Sequence, residues 1–136
     1  VSIFLDTNVL IYSISDAPRE AAKREIALSL LDRQDCVLSV QVLQEFYNQA
    51  TRVTRSASQL NDPVERIVRS WLRFDIQENT VGVFLAAIKI VRAHRISVWD
   101  ALIVAAAQEA GCDVLMTEDL SHGQHFGNLR VENPFR

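Results

Sequence analysis

A chain of 136 residues accommodates one domain, residues 1–136, and is long enough to bury a core without disulfide or metal staples. Hydrophobic residues make up 49% and charged residues 23%, the balance of an ordinary soluble protein, and no segment has the length and apolarity of a membrane span. A formal net charge of −3 excludes binding of nucleic acid by bulk electrostatics alone. Cys36 and Cys112 make neither a disulfide framework nor a zinc site, and are expected as small buried hydrophobes in a reducing cytoplasm. A basic segment followed by a small-residue cleavage site is missing at the N-terminus, so no secretory leader is expected. Val1 in place of Met suggests a trimmed start or a few missing residues.

Val1–Leu5 is an apolar run that predicts a buried strand, followed by Asp6-Thr-Asn8 and apolar Val9, Leu10, Ile11 and Ile14. Pro18 is suited to the first position of a helix reaching about Leu31. Cys36–Val40 predicts a second strand, and Val42, Leu43, Phe46, Tyr47, Ala50 and Val53 mark one face of the helix after it. Asn61 or Asp62 is expected to cap a further helix with Pro63 near its start. Phe74–Ile76 reads as a short strand, and a helix from about Val81 to Ala93 is capped by Asn79 or Thr80. Val98–Ala110 is apolar nearly all round, as in a central buried helix, and Gly111 ends it. Val114–Thr117 and Leu129–Val131 complete the strands. Strands alternating with helices predict an α/β domain with a mainly parallel sheet.

In such sheets ligands bind beyond the carboxyl ends of the strands. Asp6 and Asp119 each follow a strand, Glu45 lies early in the helix after the second strand, and Asp100 lies in the first turn of the buried helix. A compact domain could gather all four. Magnesium and manganese ions prefer carboxylate and water oxygens, and such ions activate water and stabilise charge in phosphodiester cleavage. Two like charges 4 Å apart repel by about 4 kcal/mol at an effective dielectric of 20, so clustered carboxylates call for a cation or raised pKa values. Removing four carboxylate charges from −3 leaves +1, so the acidity could belong to the site. Each acid also has a purely structural reading. Asp6 could form an Asx-turn, Glu45 could be a solvated helix residue, Ser97-Val-Trp-Asp100 matches a capping box, and Asp119 could cap the segment after it.

Asp6-Thr-Asn-Val-Leu10, Gln44-Glu45-Phe46, Ser97-Val-Trp-Asp-Ala-Leu-Ile-Val-Ala-Ala-Ala107 and Gly111–Gly123, with Thr117 and Asp119 in the last, resemble the four acidic motifs of PIN domains in order along the chain. The resemblance implies a three-layer α/β/α sandwich with a central, mainly parallel sheet. It implies an endoribonuclease dependent on Mg²⁺ or Mn²⁺, most similar to the VapC-like toxins of bacterial toxin–antitoxin pairs. It further implies a homodimer restrained by an antitoxin, and an RNA substrate. Positions matching Asp6, Asp100 and Asp119 would bind metal, Glu45 would bind metal or position water, and Asn8 and Thr117 would support them. Glu118 is expected to point elsewhere.

Other features admit bland readings. Arg66, Arg69 and Arg73 form a stripe that could meet RNA phosphates or an antitoxin, as could Arg52 and Arg55, or could simply be solvated. His122 and His125 are expected to do nothing specific, His94 to favour a helix C-terminus, and Trp99 to be a packing residue. A receiver-type signalling module would need an Asp pair after the first strand and a Lys after a late one. Here Thr7 follows Asp6, and the two lysines are Lys23 and Lys89. A non-catalytic RNA- or antitoxin-binding protein and a DNA-directed nuclease remain as rivals.

Overall fold

The computed structural model describes residues 2–54 and 61–136. Three short strands lie at the centre: β1 (Ile3–Leu5), β2 (Cys36–Ser39) and β4 (Val114–Met116). All of their residues are buried, as a parallel sheet covered on both faces requires. With β3 (Asp75–Gln77), β5 (His125–Phe126) and β6 (Leu129–Glu132) they form one sheet in the order β3-β2-β1-β4-β6-β5. All pairings are parallel except β5–β6, where Gly127, at φ 61°, opens the two-residue turn of a hairpin.

The helices are α1 (Thr7–Ser13), α2 (Ala21–Leu31), α3 (Val40–Thr54), α4 (Asn61–Trp71), α5 (Val81–His94) and α6 (Val98–Glu109). Helices α2 and α3 pack on α1, α4 packs on α3, α5 packs on α6, and the two groups flank the sheet as an α/β/α sandwich. Helix α6 is buried through Ala101 and Ile103 to Ala107, its alanines allowing close approach to the sheet. Its end is a Schellman motif. Gly111, at φ 76°, takes the left-handed position, Cys112 N–H donates to the Ala107 carbonyl, and Gly111 N–H donates to that of Gln108. Thr80 caps α5 by accepting from Val83 N–H at 3.1 Å. Among the described residues no helix is long and apolar enough to cross a membrane.

The chain runs outward from β1 through β2 to β3, then crosses to the other side of β1 to form β4. The crevice at this reversal lies beyond the carboxyl ends of β1 and β4. Three features depart from the sequence reading. Val9 to Ser13 belong to α1, which starts at Thr7 directly after the strand and is too short for its periodicity to show. Pro18 begins a separate 3-10 turn ahead of α2. The hairpin strand β5 has two residues and leaves no pattern. Helix α4 begins at Asn61, and the side chains of Asn61 and Asp62 lie outside the described residues, as does Arg55.

The arginine stripe is not one continuous surface. Arg73 falls after α4, donates to the carbonyls of Ser70 and Leu31, and covers the Phe74 ring at 4.2 Å. Arg69 pairs with Glu65 at 2.8 Å. Both cysteines are buried, and burial raises the Cys36 thiol to about 11, which leaves it unreactive.

Candidate active site

The step from β1 into α1 makes Asp6 the cap of a helix and the end of a strand at once. Its N–H bonds to the Met116 carbonyl, extending the β1–β4 pairing by one residue. Its Oδ1 accepts from Thr7 N–H at 2.7 Å, and its Oδ2 accepts from the Thr117 hydroxyl at 2.8 Å. Thr117 is held in turn by its N–H to the Glu132 carbonyl. Its Oγ1 accepts from Asn8 Nδ2 at 3.1 Å and from Asp119 N–H at 3.0 Å. Asn8 Nδ2 also donates to Asp119 Oδ2 at 3.2 Å. One buried hydroxyl and one amide therefore set the two strand-end carboxylates relative to each other. Asn8 Oδ1 is buried without a partner among the described residues.

Glu45 approaches from α3. Its Oε1 accepts from the Thr7 hydroxyl at 2.6 Å and its Oε2 from Gln41 Nε2, one turn earlier, at 3.2 Å. The same Gln41 amide reaches the Trp99 carbonyl at 3.2 Å, tying α3 to the start of α6. Asp100 occupies the first turn of α6, where Ser97 Oγ accepts from its N–H at 3.1 Å. Ser97 is thus the N-cap of α6, as the S-x-x-D pattern suggests, and Asp100 lines the crevice as well.

Asp6, Glu45, Asp100 and Asp119 all line one cavity of about 410 Å³. Glu20 and Glu118 line it too, whereas no Lys, Arg or His does among the described residues. The electrostatic consequence falls on the most buried acid. Burial, reinforced by Asp119 and Glu45, pushes the Asp6 carboxyl up to about 7 against the opposing hydrogen bonds from Thr117 and Thr7. Asp100 is raised by burial and by Asp119 and Glu45, against the Ser97 bond. Among the described residues no three acidic side chains already converge as a ready-made metal-ligand cluster.

Glu118 behaves differently from its neighbours. Its carboxylate accepts from the Tyr12 hydroxyl at 2.6 Å and pairs with Lys23 Nζ at 3.4 Å, so it turns toward α1 and α2 while still edging the cavity. His122 Nδ1 accepts from Asn133 N–H, and neither His122 nor His125 lines the cavity. His94 ends α5 with its ring edge-on to Phe126 at 4.6 Å. Trp99 does not pack as expected: it is 65% exposed and lines the cavity beside Asp100. Sequence reasoning missed Thr7 and Gln41 as holders of Glu45. The Gln41–Glu45 spacing of one helical turn was a signal for the second.

The sequence profile of the PIN domain family matches residues 3–124. The chain belongs to the PIN domain family. No curated protein sequence matches significantly. Among solved structures it is similar to a toxin–antitoxin complex from Klebsiella pneumoniae, with 18% identity, TM-score 0.71, and 99% of this chain and 98% of that one covered. It is similar to VapC20 of Mycobacterium tuberculosis, a toxin that cleaves the sarcin–ricin loop, with 20% identity, TM-score 0.69 and coverage of 95% and 99%. It is also similar to DNA-bound VapBC of Salmonella typhimurium, with 19% identity, TM-score 0.68 and coverage of 98% of each chain. At these identities the likeness is one of fold, extending over nearly the whole length of each chain.

Proposed function

We propose that this PIN-domain chain is an endoribonuclease dependent on Mg²⁺ or Mn²⁺, the toxin of a toxin–antitoxin pair, with Asp6, Glu45, Asp100 and Asp119 as its site and all 136 residues as one catalytic domain. The observation that carries this reading is four carboxylates on one cavity with neutral hydrogen-bond donors around them and, among the described residues, no cationic partner in an ion pair. Four such charges are not stable together without either protons or a cation.

The donor set suits a hard divalent ion. It offers oxygen atoms alone, and Mg²⁺ commonly binds through one or two carboxylates while keeping several waters, so a tight cluster of protein ligands is not required. Asp6, Asp100 and Asp119 would hold the ion, with Glu45 as a further ligand or as the group that orients water. A bound ion supplies activation of water and neutralisation of charge developing on the phosphate. The protein's own contribution is positional. Thr117 and Asn8 fix Asp6 and Asp119, and Thr7 and Gln41 fix both oxygens of Glu45 toward the cavity. Glu45, anchored in this way, would accept a hydrogen bond from an attacking water.

RNA as substrate and an antitoxin as partner draw support from the PIN family and from fold neighbours described as toxins and toxin–antitoxin complexes. The protein would act in the cytoplasm as a homodimer. Digestion of total cellular RNA by purified antitoxin-free protein, with Mn²⁺ or Mg²⁺, with EDTA, and with Asp6→Ala, tests the reading. Discrete cuts that need both the metal and Asp6 are expected. Intact RNA with folded wild-type protein would overturn it, and binding without cleavage would mark a recognition module instead.

A further inference from the structure

The cavity presents a recognition problem that its acids cannot solve. A polyanionic strand approaching six acidic side chains meets no protein cation in the cavity lining among the described residues. Within the cavity, phosphate pairing would rest on the bound ion alone, which leaves the protein's own contribution to holding the strand to contacts of another kind. Two aromatic side chains line the cavity. Tyr12 is already engaged, with its hydroxyl on Glu118 at 2.6 Å, its ring edge-on to Phe135 at 4.8 Å, and Lys23 Nζ over the ring at 4.7 Å. Trp99 is 65% exposed. Trp71, the chain's other tryptophan, is 4% exposed and packs edge-on to Phe46.

The backbone that carries the Trp99 indole is fixed to the catalytic groups. Its carbonyl accepts from Gln41 Nε2, the amide that also holds Glu45, and Glu45 in turn is held by Thr7, next to Asp6. Asp100, the next residue, is anchored by Ser97 at the start of α6. A large apolar surface left in water beside an acidic cavity, on a braced backbone, is suited to one kind of ligand part: a flat, uncharged ring attached to the strand being cut. We propose that Trp99 is a substrate-positioning residue whose indole stacks on an unpaired nucleobase flanking the scissile phosphate. Every base has a π-face, so this contact holds the strand without selecting its sequence, and it requires the base to be unstacked from a duplex. The inference rests on the nuclease reading of the site.

The test uses the full chain and two probes, a fluorescein-labelled mixed-sequence single-stranded RNA and the same RNA annealed to its complement. Binding is followed by anisotropy in an Asp6→Asn background, and cleavage kinetics with Mn²⁺ are followed in the otherwise wild-type protein. Trp99→Ala should weaken single-strand binding and raise KM by roughly 5- to 150-fold, the loss of one aromatic–base stack, with a smaller change in kcat. Trp99→Phe should restore most of the affinity, and duplex binding should be weak in all variants. Tryptophan emission should be quenched by the single strand in the Asp6→Asn protein and not in Asp6→Asn with Trp99→Phe.

If wild type cleaves RNA and Trp99→Ala matches it in KM and affinity, the platform is overturned and the nuclease reading stands. If Trp99→Ala instead lowers the mass in solution from dimer to monomer with affinity per protomer unchanged, Trp99 is a protein contact and the proposal fails. If wild type neither binds nor cuts the single strand, both readings fall together. Equal melting temperatures of Trp99→Ala and wild type, expected for an exposed side chain, separate lost stacking from lost fold.

Discussion

Glu118 and Asp119 are neighbours in the chain and edge the same cavity, yet the protein treats their charges in opposite ways. Glu118 is given a Lys23 ammonium and a Tyr12 hydroxyl, and the cluster is finished by Phe135 against Tyr12. Among the described residues, the Asp119 carboxylate receives only the neutral amide of Asn8, shared with Thr117. The same contrast holds for Asp6 and Glu45, which are held by hydroxyls, amides and a backbone N–H. A carboxylate whose counterion is built into the chain is a structural brace. On the reading proposed above, a carboxylate that is oriented but left electrically uncompensated would take a cation from solution. Orientation and neutralisation are separate tasks here, and only the first is done by protein at the Asp119 side.

Substitutions at the two neighbours sharpen that contrast. Asp119→Asn should abolish metal-stimulated RNA cleavage, by more than the roughly 10- to 100-fold that loss of a supporting partner costs, whereas Glu118→Gln should leave it largely intact. Equal losses at both positions would erase the distinction.

The next effect is on stability, in metal-free protein. A carboxyl whose folded pKa lies above its unfolded value binds its proton more tightly when folded, so its contribution to stability falls as pH rises between the two values. For Asp6 that window runs from 3.8 to about 7, and the shift is equivalent to about 4 kcal/mol. Urea denaturation of wild type and Asp6→Asn between pH 4 and 8 should show wild type losing stability relative to the variant as pH rises, with Mn²⁺ restoring it at the alkaline end. Parallel profiles would show that Asp6 ionises without cost and needs no counter-charge.

A smaller loss is expected from Thr117→Val, which keeps the shape but removes the hydroxyl joining Asp6, Asn8 and Asp119. Cleavage should fall by roughly 10- to 100-fold, and raising the Mn²⁺ concentration should recover part of it. The smallest effect belongs to Lys23→Met. It removes the brace at Glu118, so the melting temperature should shift slightly and cleavage should persist. A loss of activity as large as that of Asp119→Asn would place Lys23 in the catalytic machinery.

Much of this was legible in the residues. The strands β1 and β4, and β2 up to Ser39, are apolar runs because both faces are covered, and Asp6 and Asp119 stand just past the carboxyl ends of β1 and β4, where an α/β sheet opens. Gly111 and Thr80 marked helix ends through backbone chemistry that only a few residues satisfy. Helix α1 was not legible, since seven residues starting at the strand's last bond leave neither a linker nor two turns of periodicity. The partners of the acids were equally hidden. Thr7 meets Glu45 across 38 positions and Asn8 meets Asp119 across 111, contacts made by topology and not by spacing. Trp99 read as a packing residue because it opens an apolar helix. The crossover into α6 places that first turn at the open end of the sheet instead.

The central claim is that the cavity's uncompensated carboxylates await a divalent cation. Titration of Mn²⁺ into metal-free protein, followed by the loss of the free-ion electron paramagnetic resonance signal at pH 7.5, tests it most directly. The account predicts saturable binding to wild type, competition by Mg²⁺, marked weakening in Asp119→Asn and Asp6→Asn, and little change in Glu118→Gln. Wild-type protein that leaves the free Mn²⁺ signal undiminished, or that loses binding only when Glu118 is replaced, would contradict it.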